Sequence, residues 1–220
     1  VIRHNERNGS GHRVTSFKNA TQGVGLFESM AQKYGLPKAS YPHCTREQKL
    51  NPIKSFIRSI GWEAGTYSTA IGIRSDELDR ISPRADKEKI IYPLVSQFPT
   101  RKAQVNRFWQ QQPQRLEIKS YEGNCRWCWK KTKRKLLTLA AEDPSVFDSA
   151  SSLEDRFSLH GSNNDGTPRT MFRGHGTARD IVRESREPFT PFHDENNVYE
   201  LDLDVPSGCD ETCEIYGASQ

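Results

Sequence analysis

Cysteine is scarce in this chain, with five residues in 220. That number is too small for a scaffold built from disulfides, and being odd it leaves one thiol over in any pairing scheme. No run approaches the eighteen consecutive apolar residues of a membrane-crossing helix, so no membrane partner is expected. The start, Val1-Ile2-Arg3-His4-Asn5-Glu6, has no initiator Met and no apolar signal region, and it reads as cut. Apolar residues make up only 34% and the mean hydropathy is −0.82, which predicts much loop and wet surface around one core, with long excursions. Charge is also modest: the formal +4 is compatible with a phosphate-bearing partner without establishing one. Gly23-Val24-Gly25 lacks the spacing of a phosphate loop, so it is no nucleotide fingerprint. Few cysteines in two short-spaced pairs suit a reducing compartment, and the cytoplasm is the expected location.

Against this background one stretch stands out. Cys125-Arg126-Trp127-Cys128 is a tight CxxC, followed by Trp129 and the basic run Lys130, Lys131, Lys133, Arg134 and Lys135. Two cysteines at this spacing suit one Zn2+ or one edge of an iron-sulfur cluster, each needing further ligands, and a redox pair is a third reading. Trp127 and Trp129 would shield the sulfurs. The basic run reads either as a solvated helix face or as a phosphate-touching surface for nucleic acid. A second pair, Cys209 and Cys213, lies near the C-terminus at the spacing of successive helical turns.

Cys44 precedes Thr45 and Gln48, a capping-box pair that would open a helix directly after the thiol. Ile53, Phe56, Ile57 and Ile60 carry the apolar stripe to Gly61, with Pro52 complicating its start. Cys44 would then sit at the positive end of a helix beside Arg46 and Lys49. Such a place lowers a thiol pKa and welcomes phosphate, although a half-buried cysteine with two solvated cations fits equally well. Upstream, Leu26 to Tyr34 form another helical stripe, ended by Gly35 and Pro37. Tyr67 to Ile73 reads as a buried strand that runs into Arg74, Asp76, Glu77 and Arg80, the usual place for a ligand loop in an open α/β sheet. The arginines would clamp phosphate or carboxylate, and the carboxylates would orient a polar group or help hold Mg2+. An internally paired surface loop is the alternative. Ile90 to Val95 reads as a second strand with Pro93 at an edge, a bend or its end. Thr100 then caps a helix with Val105, Phe108 and Trp109 on its apolar side.

Taken in order, Cys44-Thr45-Arg46 with Lys49, Gly72-Ile73-Arg74 with Asp76, Glu77 and Arg80, Tyr92-Pro93-Leu94, and Asn124-Cys125 with Cys128, Lys130 and Lys131 resemble the phosphoadenosine phosphosulfate reductase family. They look most like its phage-borne and DNA-sulfur-modification relatives within the adenine nucleotide alpha-hydrolase (PP-loop) superfamily. The resemblance spans about Val14 to Ala141. It implies an α/β fold: a Rossmann-like, mainly parallel sheet with flanking helices. It also implies ATP or a related adenine nucleotide as ligand. Arg46, Lys49, Arg74, Arg80 and Lys131 would face that nucleotide, and Asp76 and Glu77 would serve the catalytic cleft. A cluster-binding set would match Cys44, Cys125, Cys128 and Cys213, holding [4Fe-4S] or, on ligand count alone, Zn2+. Two departures qualify the match. The family's Ser-Gly-Gly-x-Asp-Ser loop is absent from these residues and would precede Val1 with the first strand. Cys209 to Tyr216 also does not match the reductases' catalytic Glu-Cys-Gly-Leu-His tail.

The resulting expectation is an α/β core over residues 1–141 and an irregular extension over 142–220 that returns to the cysteine site. Its activity would be adenylating or sulfur-handling rather than sulfonucleotide-reducing, in a bacterial or phage-infected cell. The alternative is a zinc-stabilised, non-enzymatic subunit that binds nucleic acid through residues 130–135 or binds a protein. In the extension, Val146 to Phe157 and Gly174 to Arg183 read as short helices and Val198 to Leu203 as an edge strand. His160, His175 and His193 read as loop or cap residues.

Overall fold

The computed structural model describes residues 2–4, 11–21, 23–38, 42–114, 117–123, 125–161 and 166–194. Val198 to Leu203, Cys209 and Cys213 lie outside them. In chain order the elements are β1 (Ile2–His4), β2 (His12–Val14), α1 (Gly25–Tyr34), α2 (His43–Thr45), a π-helical turn (Arg46–Leu50), α3 (Asn51–Ser59), β3 (Thr69–Ala70), β4 (Ile90–Ile91), α4 (Pro93–Ser96), α5 (Lys102–Gln110), α6 (Lys133–Glu142), α7 (Asp148–Phe157) and α8 (Ala178–Glu184). Strands β1 and β2 pair antiparallel, with Arg3 opposite Arg13, and β3 and β4 pair parallel, with Thr69 opposite Ile90. The described residues are therefore mixed helix and strand, with a parallel pair only two residues deep. The chain divides into two compact units, Val1–Ala64 with Ala140–Pro188, and Gly65–Leu139 with Phe189–Gln220. Each unit draws on sequence from both sides of residue 141.

The first unit closes its core where α1, α7 and α8 meet, around the fully buried Ala31, Phe147, Leu153 and Met171. Gly35 ends α1 at φ +80°, and a Cβ there would lie 2.2 Å from the His160 carbonyl oxygen, so only glycine fits. Helix α2 begins at His43, one residue before the cysteine. Thr45 is already helical and makes no side-chain cap, so the expected capping box is not used. The π-helical turn explains why Pro52 does not break the helix. Asn51 N–H reaches back to the Arg46 carbonyl in a widened turn, and Pro52 follows at the start of α3, where its missing donor costs least. His12 is held against α3 by its Nδ1 contact with Ser55 Oγ at 3.0 Å and by an edge-to-face contact with Phe56.

Glu154 is the exception in the first core. Its carboxylate is buried and accepts from the backbone N–H of Met171 at 3.3 Å and of Ala178 at 2.8 Å. Ala178 opens α8, so one of that helix's orphan donors is satisfied from α7, while Thr177 caps its own helix through Asp180 N–H.

In the second unit Thr69 N–H bonds the Lys89 carbonyl and Ile71 N–H bonds the Ile91 carbonyl, which extends the parallel ladder slightly beyond the strands. Both strand residues of β3 are exposed, and the connection to β4 holds only turns and a 3-10 turn at Leu78–Arg80. The longer buried strand expected over Tyr67 to Ile73 is thus confined to two residues, with Ile73 alone buried at its end. Pro93 ends β4 and opens α4, the one helical position where proline's missing N–H is harmless. Arg101, not Thr100, is the N-cap of α5, its N–H bonded to Gln104 Oε1. Thr132 Oγ1 accepts from Lys135 N–H at 3.4 Å and starts α6, whose Leu136, Leu137 and Leu139 are buried as the apolar pattern predicts.

Burial raises the Glu154 pKa against the opposing help of its two N–H donors. Its ionisation therefore takes stability away as pH rises from the unfolded value through the folded one. Removing the carboxylate altogether has the larger effect, because it orphans two buried donors at roughly 1–3 kcal/mol each. Glu154→Ala is expected to lower the urea midpoint accordingly, while Glu154→Gln, which keeps one acceptor, loses about half as much. An unchanged midpoint in Glu154→Ala would remove Glu154 from this role.

Candidate functional site

The CxxC forms a short double turn. Cys128 N–H bonds the Cys125 carbonyl at 3.1 Å and Lys131 N–H bonds the Cys128 carbonyl at 3.0 Å, which curls the chain around the Cys128 sulfur. Gly123, at φ +140°, lets the chain enter that curl. Trp127 and Trp129 are both buried, and Cys125 and Cys128 are half-buried. The electrostatics favour sulfur as an anion. The Cys125 thiol and the Lys130 N–H hydrogen-bond to the Cys128 sulfur, and Lys131 and Lys130 add positive charge. Together they outweigh burial and bring Cys128 from 9.0 down to about 6. Lys131 donates to the Tyr121 carbonyl, and burial brings its own pKa down to about 8 against the pull of both sulfurs.

A strap from the end of the described chain closes over the same region. Phe192 N–H bonds Thr138 Oγ1 at 2.8 Å, the Phe192 ring packs edge-to-face on Tyr121, and Asp194 Oδ1 accepts from Ser120 N–H. Lys135 is buried with its Nζ 4.3 Å from the centre of the Phe192 ring, and the Arg134 guanidinium lies 5.0 Å from it. Residues 130–135 are therefore not one solvated face. Lys131 and Lys135 turn inward, whereas Lys133 and Arg134 are exposed. No sequence pattern announces Phe192, because a single aromatic in an irregular stretch carries no periodicity.

The charged loop after β3 is internally clamped. Arg74 forks onto Asp76, with Nε to Oδ1 at 2.8 Å and Nη2 to Oδ2 at 3.3 Å, and approaches Glu77 at 3.3 Å. Glu77 is buried and also accepts from Arg74 N–H at 3.2 Å and from Arg80 at 2.5 Å. Asp76 reaches α5 through Lys102 N–H at 3.3 Å, and Ser75 N–H bonds the Thr100 carbonyl. Here the paired-loop reading describes the geometry. An anion would have to displace Asp76 to take the Arg74 fork.

Arg46 and Lys49 lie in the first unit with Cys44. Arg46 pairs at 2.6 Å with Glu47, which is buried and also accepts from Asn51 Nδ2, while the guanidinium lies 5.8 Å from the centre of the Tyr34 ring. His43 stacks on the same ring, and burial, then the charge of Arg46, lowers its pKa. Arg46 keeps 55% of its side chain exposed and Lys49 is exposed, so both remain reachable by a phosphate. Cys44 is half-buried.

Among the described residues no three His, Cys, Asp or Glu side chains are gathered as a metal site. The described cysteines are free thiols, and Cys213 lies outside the described residues. A groove of about 690 Å³ in the first unit, between the Pro144–Phe147 turn, α7 and α8, includes Asp155, Arg179, Arg183 and Arg186 in its wall, and none of the site residues read from the sequence lines it. Arg179 is spent on Asp155 through two bonds of 2.7 and 2.6 Å, and Arg183 on Asp180. No helix among the described residues is long and apolar enough to cross a membrane.

Because folding lowers the Cys128 pKa, the thiolate's contribution to stability is present above the ordinary thiol range and is lost as pH falls through about 6. Iodoacetamide labelling of Cys128, followed by mass spectrometry across pH, is expected to reach half its maximal rate near pH 6. Lys131→Met should shift that midpoint upward. A midpoint in the ordinary thiol range in the parent protein would contradict this electrostatic account.

The chain is similar to the "uncharacterized nin region protein ORF290" of Escherichia phage lambda, with 28% identity over 198 residues. The match covers 87% of this chain and 64% of the phage protein, so the chain spans less than two thirds of that relative's length. No model of a known protein family matches the chain, and no solved structure matches it.

Proposed function

We propose that this chain is the cysteine-bearing part of a phage protein that handles adenine nucleotides and activated sulfur, of the adenylating or sulfur-transferring kind its ordered motifs resemble. The observation that carries the reading is the Cys125–Cys128 turn. There a thiol is pushed toward thiolate by a neighbouring thiol, a backbone N–H and Lys131, and the two tryptophans beside the pair in sequence are buried. Thiolate is the form that binds metal. The donor set fits on one further point: Trp129 Nε1 is buried without a hydrogen-bond partner among the described residues, a donor suited to a sulfur acceptor.

Cys125 and Cys128 would hold one edge of a [4Fe-4S] cluster, with Cys213 proposed as a further ligand; among the described residues Cys44 is not gathered with them. When bound, such a cluster supplies one-electron chemistry or a Lewis-acidic iron. Arg46 and Lys49, exposed beside the Glu47 anchor, would take the nucleotide phosphates, with or without Mg2+. Arg74 and Arg80, with Asp76 and Glu77, would meet a phosphate of their own only after opening the clamp, so their role is positional. The parallel β3–β4 pair is read as two neighbouring strands of a Rossmann-like sheet. Its phosphate-gripping loop would come from outside these residues.

Anaerobic purification followed by metal analysis and visible absorption tests the reading. A brown protein with roughly four irons per chain, bleached by Cys125→Ser or Cys128→Ser, is the expected result. ATP binding weakened by Arg46→Ala should accompany it. A colourless protein holding one zinc would favour the zinc-stabilised, non-enzymatic alternative. A metal-free protein that ignores ATP would sink both.

A further inference from the structure

Between Glu88 and Glu117 the sequence contains no carboxylate side chain, yet it carries Lys89, Arg101, Lys102, Arg107 and Arg115. Within a chain of 28 acidic residues such a gap makes this stretch of sequence net positive. The same stretch exposes aromatics that an ordinary core would bury: Phe98 is 68% exposed, Phe108 54% and Trp109 52%. Phe108 and Trp109 stand adjacent on α5, edge to face, with ring centres 5.3 Å apart. That leaves ring surface open to solvent.

Helical spacing interleaves these rings with cations and amides. Arg101, Gln104 and Phe108 follow one another at i, i+3 and i+7, and Lys102, Asn106 and Trp109 at i, i+4 and i+7, so each ring shares a face with a basic residue and an amide. The basic members sit toward the start of the helix and the rings toward its end. Gln110, Gln111 and Gln112 follow, and the Gln112 side chain donates to the Phe108 carbonyl, which squares off the helix end beside the rings.

We propose that this face of α5 binds single-stranded nucleic acid, its bases stacking on Phe108 and Trp109 and its phosphates lying along Arg101 and Lys102. Stacking rings interleaved with cations are what an unpaired strand requires, since every base has a π-face and every linkage a charge. A protein partner fits less well. The core of such an interface is depleted of charge, whereas here cations and amides interrupt the apolar surface. The surface is separate from the cysteine turn and does not depend on a metal or nucleotide there.

Fluorescence anisotropy of the full chain with labelled dT20 at low salt tests this. Binding is expected, with log affinity falling linearly as log salt rises. Phe108→Ala and Trp109→Ala should each weaken it roughly 5- to 150-fold, and Trp109→Phe should retain most of it. Arg101→Ala should reduce the salt slope by about one. Both rings are more than half exposed, so thermal melting of the variants should match the parent. Absence of binding would overturn the proposal. So would binding that ignores Phe108 and Trp109 but is lost with Lys133→Ala and Arg134→Ala, or a self-associating protein that Trp109→Ala turns into a monomer without any affinity for dT20.

Discussion

Each unit holds an acidic side chain, buried in the first and half-buried in the second, that is satisfied by hydrogen-bond donors. In the first it is Glu154, which holds the Met171 and Ala178 amides; in the second it is Cys128, which holds the Lys130 amide and the Cys125 thiol. The constraint follows from composition. With 34% apolar residues the chain cannot enclose itself in hydrocarbon alone, so polar groups enter the cores and have to find partners there. An unmade hydrogen bond at such a site costs roughly as much as burying an extra aliphatic side chain gains, on the order of 1–3 kcal/mol. Placement of α7 against α8, and of the CxxC against the start of α6, depends on those few bonds.

The same economy governs the charged residues that look available for ligands. Arg74, Asp76, Glu77 and Arg80 close on one another and tie the end of β3 to the start of α5. Lys135 lies under Phe192, and Lys131 holds the Tyr121 carbonyl. An exposed ion pair contributes roughly 0–1 kcal/mol. These pairs matter more because Glu77 and Lys135 are buried, where a lone charge would be costly. Cations left at the surface, such as Arg46, Lys49, Arg101 and Arg107, are the ones with charge to offer a phosphate. The charged positions thus separate by burial into framework and surface, and residue type alone does not distinguish them.

Much of the helical framework was legible. The stripes Leu26 to Tyr34, Ile53 to Ile60 and Leu136 to Ala141 each became a helix within three residues of the stripe's ends, because a 3.6-residue period is a local property. Pro93 marked the end of β4 for the same local reason. The strands were less legible: Tyr67 to Ile73 alternates well enough for a buried strand, but pairing needs a partner, and β4 offers one for only two residues. The cap at Thr45 failed because the helix begins earlier, at His43, and continues through a π turn. At the candidate site, the CxxC, its tryptophans and its lysines were visible as a motif. Phe192, Asp194 and the role of Glu154 were not, since each acts through a contact distant in sequence.

By itself the sequence determined where most of the helices form, that cysteine is concentrated in two short-spaced pairs, and that positive charge follows the CxxC, because all of these are properties of neighbours along the chain; α4, within the stretch read as a strand over Ile90 to Val95, is the exception. Only the tertiary structure decided which charges serve the framework. It turned Lys131 and Lys135 inward, closed Arg74 on Asp76, and left Phe108 and Trp109 in the open. Burial sets the cost of an ion and the value of a ring, and burial depends on what the rest of the chain brings near.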